Sequence, residues 1–111
     1  MTTPGRLGIE SVTEDGTVSI ALEGELDLAG ARQLEESLAA AEKEAPARMI
    51  VDLGRLAFID STGLRLLLQA DARARERGCE LLLRPGEPAV QRALEVTGAL
   101  TLLRFEDQSG G

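Results

Sequence analysis

The segment from Met49 to Leu64, MIVDLGRLAFIDSTGL, passes from an apolar, β-branched run into a leucine-rich one through Asp60-Ser61-Thr62-Gly63. Met49 to Leu53 reads as a short central strand, its run of apolar residues suited to cover on both faces. After a brief connection, Leu64 to Arg77 reads as a helix with Leu64, Leu67 and Leu68 on its inner stripe, and Gly78 is placed to end it. A strand that feeds a helix in this way is half of a crossover unit, so the segments on either side decide the fold.

Upstream, Ala31, Leu34, Leu38 and Ala41 recur at helical spacing, with Asp27 as a natural N-cap and Pro46 closing the segment. Before it, Leu7 to Thr13 and Thr17 to Gly24 alternate apolar and polar residues as strands do, and Asp15-Gly16 supplies a hairpin turn. Downstream, Cys79 to Leu83 is a second buried strand, broken by Arg84-Pro85-Gly86. Pro88 to Thr97 makes a third helix ending at Gly98, and Leu100 to Phe105 reads as a final strand. The order β-β-α-β-α-β-α-β predicts an α/β fold: a single domain over residues 7–105 with one mixed, largely parallel sheet and helices packed on it. Residues 1–6 and 106–111 are expected to be flexible.

Composition narrows the chemistry. A chain of 111 residues with 43% hydrophobic and 28% charged residues is globular. Its net charge of −7 argues against nucleic-acid binding. No apolar run approaches the length of a membrane span and the N-terminus lacks a secretory pattern, so a cytoplasmic protein away from membranes is expected. The one cysteine, Cys79, has no partner for an internal disulfide and reads as a small core hydrophobe. The absence of histidine removes Ser-His and Cys-His nucleophiles, histidine metal ligands and the commonest general base.

Right-handed crossovers bring the loops after the second and third strands to one edge of the sheet. Asp27, Asp60, Ser61 and Thr62 should therefore share an exposed patch. A nucleophile elbow is excluded there, because Ile59 stands where Gly-x-Ser-x-Gly needs its first glycine. A phosphate-cradling loop is excluded by the lone Gly63 and by Lys43 being the only lysine. Two carboxylates make a weak hard-cation site, so no metal and no cofactor are expected. The protein does not read as an enzyme.

Ser61 or Thr62 can cap the helix that follows. Two adjacent hydroxyls at a helix start also suit a modification site, since free N–H groups and the helix dipole accommodate a phosphate. Arg65, Gln69 and Arg73, at i, i+4 and i+8, should line an exposed face beside them. Phe58 and Ile59 are expected to anchor the loop in the core, and Gly24 and Gly63 to serve tight backbone turns.

Taken together, VDL…FIDSTGL, the upstream EGELDLAGA and the downstream EPAVQRALEVTGALTLL resemble the STAS domain family, and within it the bacterial anti-sigma factor antagonists. The resemblance runs from about Leu7 to Phe105. It implies that Ser61, with Thr62 as a second candidate, is phosphorylated by an anti-sigma factor that is itself an ATP-dependent serine kinase. It implies that the unphosphorylated form binds that partner and frees a sigma factor, and that a metal-dependent serine phosphatase reverses the modification. The partner surface would comprise Asp27, Asp60, Ser61, Thr62, Gly63, Arg65 and Gln69. A stressosome-like scaffold or sensor that takes a small anion or nucleotide at the same patch is the alternative. The family usually ends in a further helix, which EDQSGG at the C-terminus does not supply.

Overall fold

The computed structural model describes residues 6–106. Strands β1 (Leu7–Glu14) and β2 (Thr17–Leu26) form an antiparallel hairpin. Its turn residues Asp15 (φ 50) and Gly16 (φ 77) both adopt the left-handed conformation that matches the twist of a two-residue hairpin. After a 3-10 turn at Leu28–Gly30 come helix α1 (Ala31–Lys43), strand β3 (Arg48–Ile59), helix α2 (Ser61–Arg77) and strand β4 (Glu80–Arg84). Helices α3 (Pro88–Val96) and α4 (Ala99–Leu102) complete the described chain. The sheet has the order β1-β2-β3-β4, with β2, β3 and β4 parallel. No described helix is long and apolar enough to cross a membrane.

A single core cluster joins one face of the sheet to all four helices. Val18, Ile20 and Leu22 of β2 meet Val51 and Leu53 of β3, Leu34 and Leu38 of α1, Leu67 of α2 and Leu94 of α3. The opposite face is not covered by helices, contrary to the expectation for Met49–Leu53. Ile50 is buried there but lies outside the core cluster. Charged residues surround it: Arg48 pairs with Glu80 at 2.9 Å, and Arg84 bridges Asp52 at 3.3 Å and Glu106 at 3.0 Å.

Two further expectations are corrected. Strand β3 does not stop at Leu53. It runs to Ile59, because β2 is long enough to pair with it, and two register irregularities, between Ala21 and Glu23 and between Gly24 and Glu25, absorb its extra residues. Leu100–Phe105 is not a strand. Gly98 (φ 83) reverses the chain, and Ala99 and Leu103, spaced i, i+4, are both buried, so this stretch packs as the short helix α4. Only a single parallel bridge, Leu83 to Phe105, survives of the expected strand.

Of the terminal segment expected from residue 106, Glu106 is tied down: its amide donates to the Leu83 carbonyl at 2.8 Å. Residues 107–111 lie outside the described residues, as do residues 1–5 of the N-terminal segment. Gly78 (φ 74) ends α2 with its amide directed at the carbonyls of Ala74 and Arg75, as its position predicts.

Candidate functional site: the shared end of β2 and β3

Leu26 and Ile59 are register partners at the ends of two parallel strands, and the Asp60 amide donates to the Leu26 carbonyl at 3.1 Å. That pairing brings Asp27 and Asp60, far apart in sequence, to neighbouring positions at one sheet edge, as the topology requires. Each carboxylate is engaged in its own turn. Asp27 Oδ1 accepts from the Ala29 amide at 3.1 Å, capping the 3-10 turn rather than α1 itself. Asp60 Oδ1 accepts from the Gly63 amide at 3.0 Å and caps α2.

This second contact corrects the expectation that Ser61 or Thr62 would be the cap. Helix α2 begins at Ser61, one residue beyond its N-cap, so both hydroxyls lie within the first turn. Ser61 is exposed and Thr62 is half-buried. An aspartate is as good a cap as a serine. The cap is thus supplied without either hydroxyl, and Ser61 is left with no structural task in that role.

Gly63 is buried inside α2, and its contribution is close approach, not a turn. A Cβ there would fall 2.6 Å from Leu26 Cγ and 3.0 Å from Ile59 Cγ1. Only hydrogen in that position lets the first turn of α2 sit against the two strand ends. Gly24 (φ 94) does meet the expectation of a special backbone conformation, at the irregularity of β2, where a Cβ would fall 2.2 Å from the Arg6 carbonyl oxygen.

Along α2, Arg65 and Gln69 are exposed on the same stripe as Ser61. Arg73 is not part of that open strip, since it is half-buried and paired with Glu42 of α1 at 2.9 Å. Phe58 is also placed differently from the sequence reading. Leu56 and Ile59 both turn inward across the irregular end of β3, leaving Phe58 47% exposed, while Ile59 anchors the loop at 5%. Leu28, on the 3-10 turn, is 73% exposed. The exposure of Leu28 and of Phe58 does not follow from the periodicity of the sequence. An apolar residue directly after Asp27, on a turn with nothing above it, was the available signal for the first.

The resulting surface has an exposed serine, two locally engaged carboxylates, exposed Arg65 and Gln69, and two exposed apolar side chains. Among the described residues, no three acidic or cysteine side chains gather to hold a metal ion. Cys79 lies away from this edge, and burial, with Glu42 and Glu80 nearby, pushes its thiol up from the ordinary cysteine value.

A family model described as Mlab, STAS domain matches residues 10–104. BtrV of Bordetella bronchiseptica, named as a candidate anti-sigma factor antagonist, is 38% identical over 88 residues, covering 79% of this chain and 76% of BtrV. The anti-sigma-B factor antagonist of Staphylococcus aureus is 28% identical over 101 residues, 91% of this chain and 94% of that protein. Among solved structures, the anti-sigma factor antagonist SpoIIAA in its unphosphorylated form is similar with a TM-score of 0.73 and 26% identity, over 93% of this chain and 90% of that one. The phosphorylated form of the Bacillus cell fate determinant SpoIIAA is similar with a TM-score of 0.67 and 25% identity, over 93% of both chains.

Proposed function

The chain belongs to the STAS domain family, and from that premise we propose that it is an anti-sigma factor antagonist switched by phosphorylation of Ser61. The observation that carries the proposal is the division of labour at the start of α2: Asp60 caps the helix and Ser61 is exposed. Its hydroxyl is therefore available to an incoming enzyme without loss of a structural hydrogen bond. In the unmodified state the patch around Ser61 docks on an anti-sigma factor with serine kinase activity, which then releases its sigma factor. Leu28 and Phe58 supply apolar contact, and Arg65 and Gln69 supply polar contact.

In the partner's active site, Ser61 Oγ takes the γ-phosphoryl group of ATP, and ADP and the hydroxyl proton leave. Hydrolysis of the phosphoester by a metal-dependent serine phosphatase returns the hydroxyl and inorganic phosphate. The modification adds about −1.5 to −2 charges to an edge that already holds Asp27 and Asp60. Every 1.4 kcal/mol of penalty this creates at the interface weakens binding about tenfold, so no refolding is needed to release the partner. The chain is the substrate of the reaction and not its catalyst. A sensor that takes an anion or nucleotide at this patch is the weaker reading, because two carboxylates flank the position the anion would occupy.

Incubation with the cognate kinase and ATP, followed by peptide mass spectrometry, tests the assignment. Phosphate on Ser61 is the expected outcome. Modification confined to Thr62, or none, would overturn it.

A further inference from the structure

Ser61 and Arg65 stand one helical turn apart on the exposed stripe of α2. Side chains at i and i+4 are neighbours on a helix surface. Because helical side chains lean toward the N-terminus, Arg65 leans over the turn that carries Ser61. Arg65 has no ion pair with any described residue, whereas Arg73, Arg75 and Arg84 are each held by a carboxylate. Asp27 and Asp60, at the same edge, each use Oδ1 to accept a backbone amide.

We infer that Arg65 is the intramolecular counter-charge of a phosphate on Ser61, so that modification both adds an anion and withdraws this cation from the partner. The inference rests on the reading of Ser61 as the acceptor and deepens it. A guanidinium presents a planar fork of donors that matches two phosphate oxygens. In the unmodified chain Arg65 has no anion on its own helix turn and is available to an acidic group of the partner. Once Ser61 carries phosphate, the nearest anion is intramolecular and always present. The partner then loses an attractive contact and gains a repulsive one in a single step. The phosphate is meanwhile held against the helix start, where the free amides of the first turn reinforce it.

The charged residues that the chain order places near this edge are Glu25 in β2, Asp27 directly after it, Arg32 in the first turn of α1, Asp60 as the cap of α2 and Arg65 within α2. Arg32 is exposed and is the one other cation among them, which makes it the control. The test uses the full chain with phosphoserine incorporated at position 61 during synthesis, with no kinase or partner present. Phosphorus NMR then follows the second ionisation of the phosphate with pH. Arg65→Gln should raise that pKa by on the order of a few tenths of a pH unit, the size of an i, i+4 ion pair. Arg65→Lys should raise it less, and Arg32→Gln should leave it in place. Arg65 is exposed, so these variants keep the fold, which the unchanged amide spectrum of the rest of the chain would show.

Identical titration curves for the wild type and Arg65→Gln would overturn the inference, as would a larger shift from Arg32→Gln. Either result leaves the kinase assignment of Ser61 standing. Conversely, a kinase that ignores Ser61 would remove the functional reading while the titration of the synthetic phosphoprotein could still show the pair.

Discussion

Asp60 Oδ1 accepts the Gly63 amide at 3.0 Å, and this one contact separates the cap of α2 from its exposed hydroxyl. In many helices the serine at such a boundary must do the capping, and a phosphate there competes with the helix for its own amide. Here the two roles sit on adjacent residues. The proposed phosphorylation of Ser61 would leave the cap closed.

Asp60→Ala should therefore cost about 1 kcal/mol of stability, the usual cost of a lost N-cap. Ser61→Ala should change it by less than about 0.5 kcal/mol, as expected for an exposed position with no structural partner. Urea unfolding of the two variants measures both. Equal losses would mean that Ser61 shares the capping.

Gly63→Ala should destabilise the fold by about 1–3 kcal/mol, the range for forcing an extra methyl into a packed site. The added carbon would sit 2.6 Å from Leu26 Cγ, on a side chain that is fully buried and has little room to yield. Amide chemical shifts should move from Asp60 through Arg65 and at Leu26. A variant as stable as the wild type would show that α2 can retreat from the strand ends.

Leu28→Ser and Phe58→Ser should each leave the thermal midpoint within a few degrees, because both side chains are substantially exposed. Each should weaken partner binding by about fivefold or more, corresponding to 1 kcal/mol at an interface contact. A titration of the anti-sigma factor with each variant reads this directly. Unchanged affinity in both would move the interface away from the 3-10 turn and the end of β3.

On the other face of the sheet, Arg84 donates to Glu106 at 3.0 and 3.1 Å and holds that carboxyl below the usual glutamate range. A carboxyl so depressed binds its proton less readily in the folded chain than in the unfolded one. Its stabilisation is full above the unfolded value near pH 4.3 and is lost as the pH falls through the folded value. Glu106→Gln should lower the thermal midpoint at pH 7 by at most about 4 °C, since the pair is partly exposed. The difference from wild type should shrink through pH 4 and below. A difference independent of pH would assign the loss to packing instead.

Much of this arrangement was legible in the sequence, and the exceptions share a cause. The hairpin at Asp15-Gly16, the stop at Gly78 and the meeting of Asp27 with Asp60 follow from local turn chemistry and from the handedness of crossovers. The length of β3 was not legible, because the apolar run stops at Leu53 and only the long neighbouring β2 makes pairing continue past it. Phe58 was misplaced for the same reason: an extra residue in the strand reverses which side chains face inward, and alternation alone cannot register that. Leu100–Phe105 alternates enough to suggest a strand, yet the burial of Ala99 and Leu103 by the preceding helices selects one helical turn. The cap assignment failed for a subtler reason. Asp60, Ser61 and Thr62 are all favoured caps, and the choice among them depends on where the sheet releases the chain.

The central claim is that one phosphate on Ser61 decides whether the partner stays bound. It is tested most directly by measuring the affinity of the cognate anti-sigma factor for two forms of this chain: unmodified, and carrying phosphoserine at position 61. The unmodified form should bind, and the phosphorylated form should bind at least about tenfold more weakly, equivalent to 1.4 kcal/mol. Equal affinity for the two forms would contradict the claim.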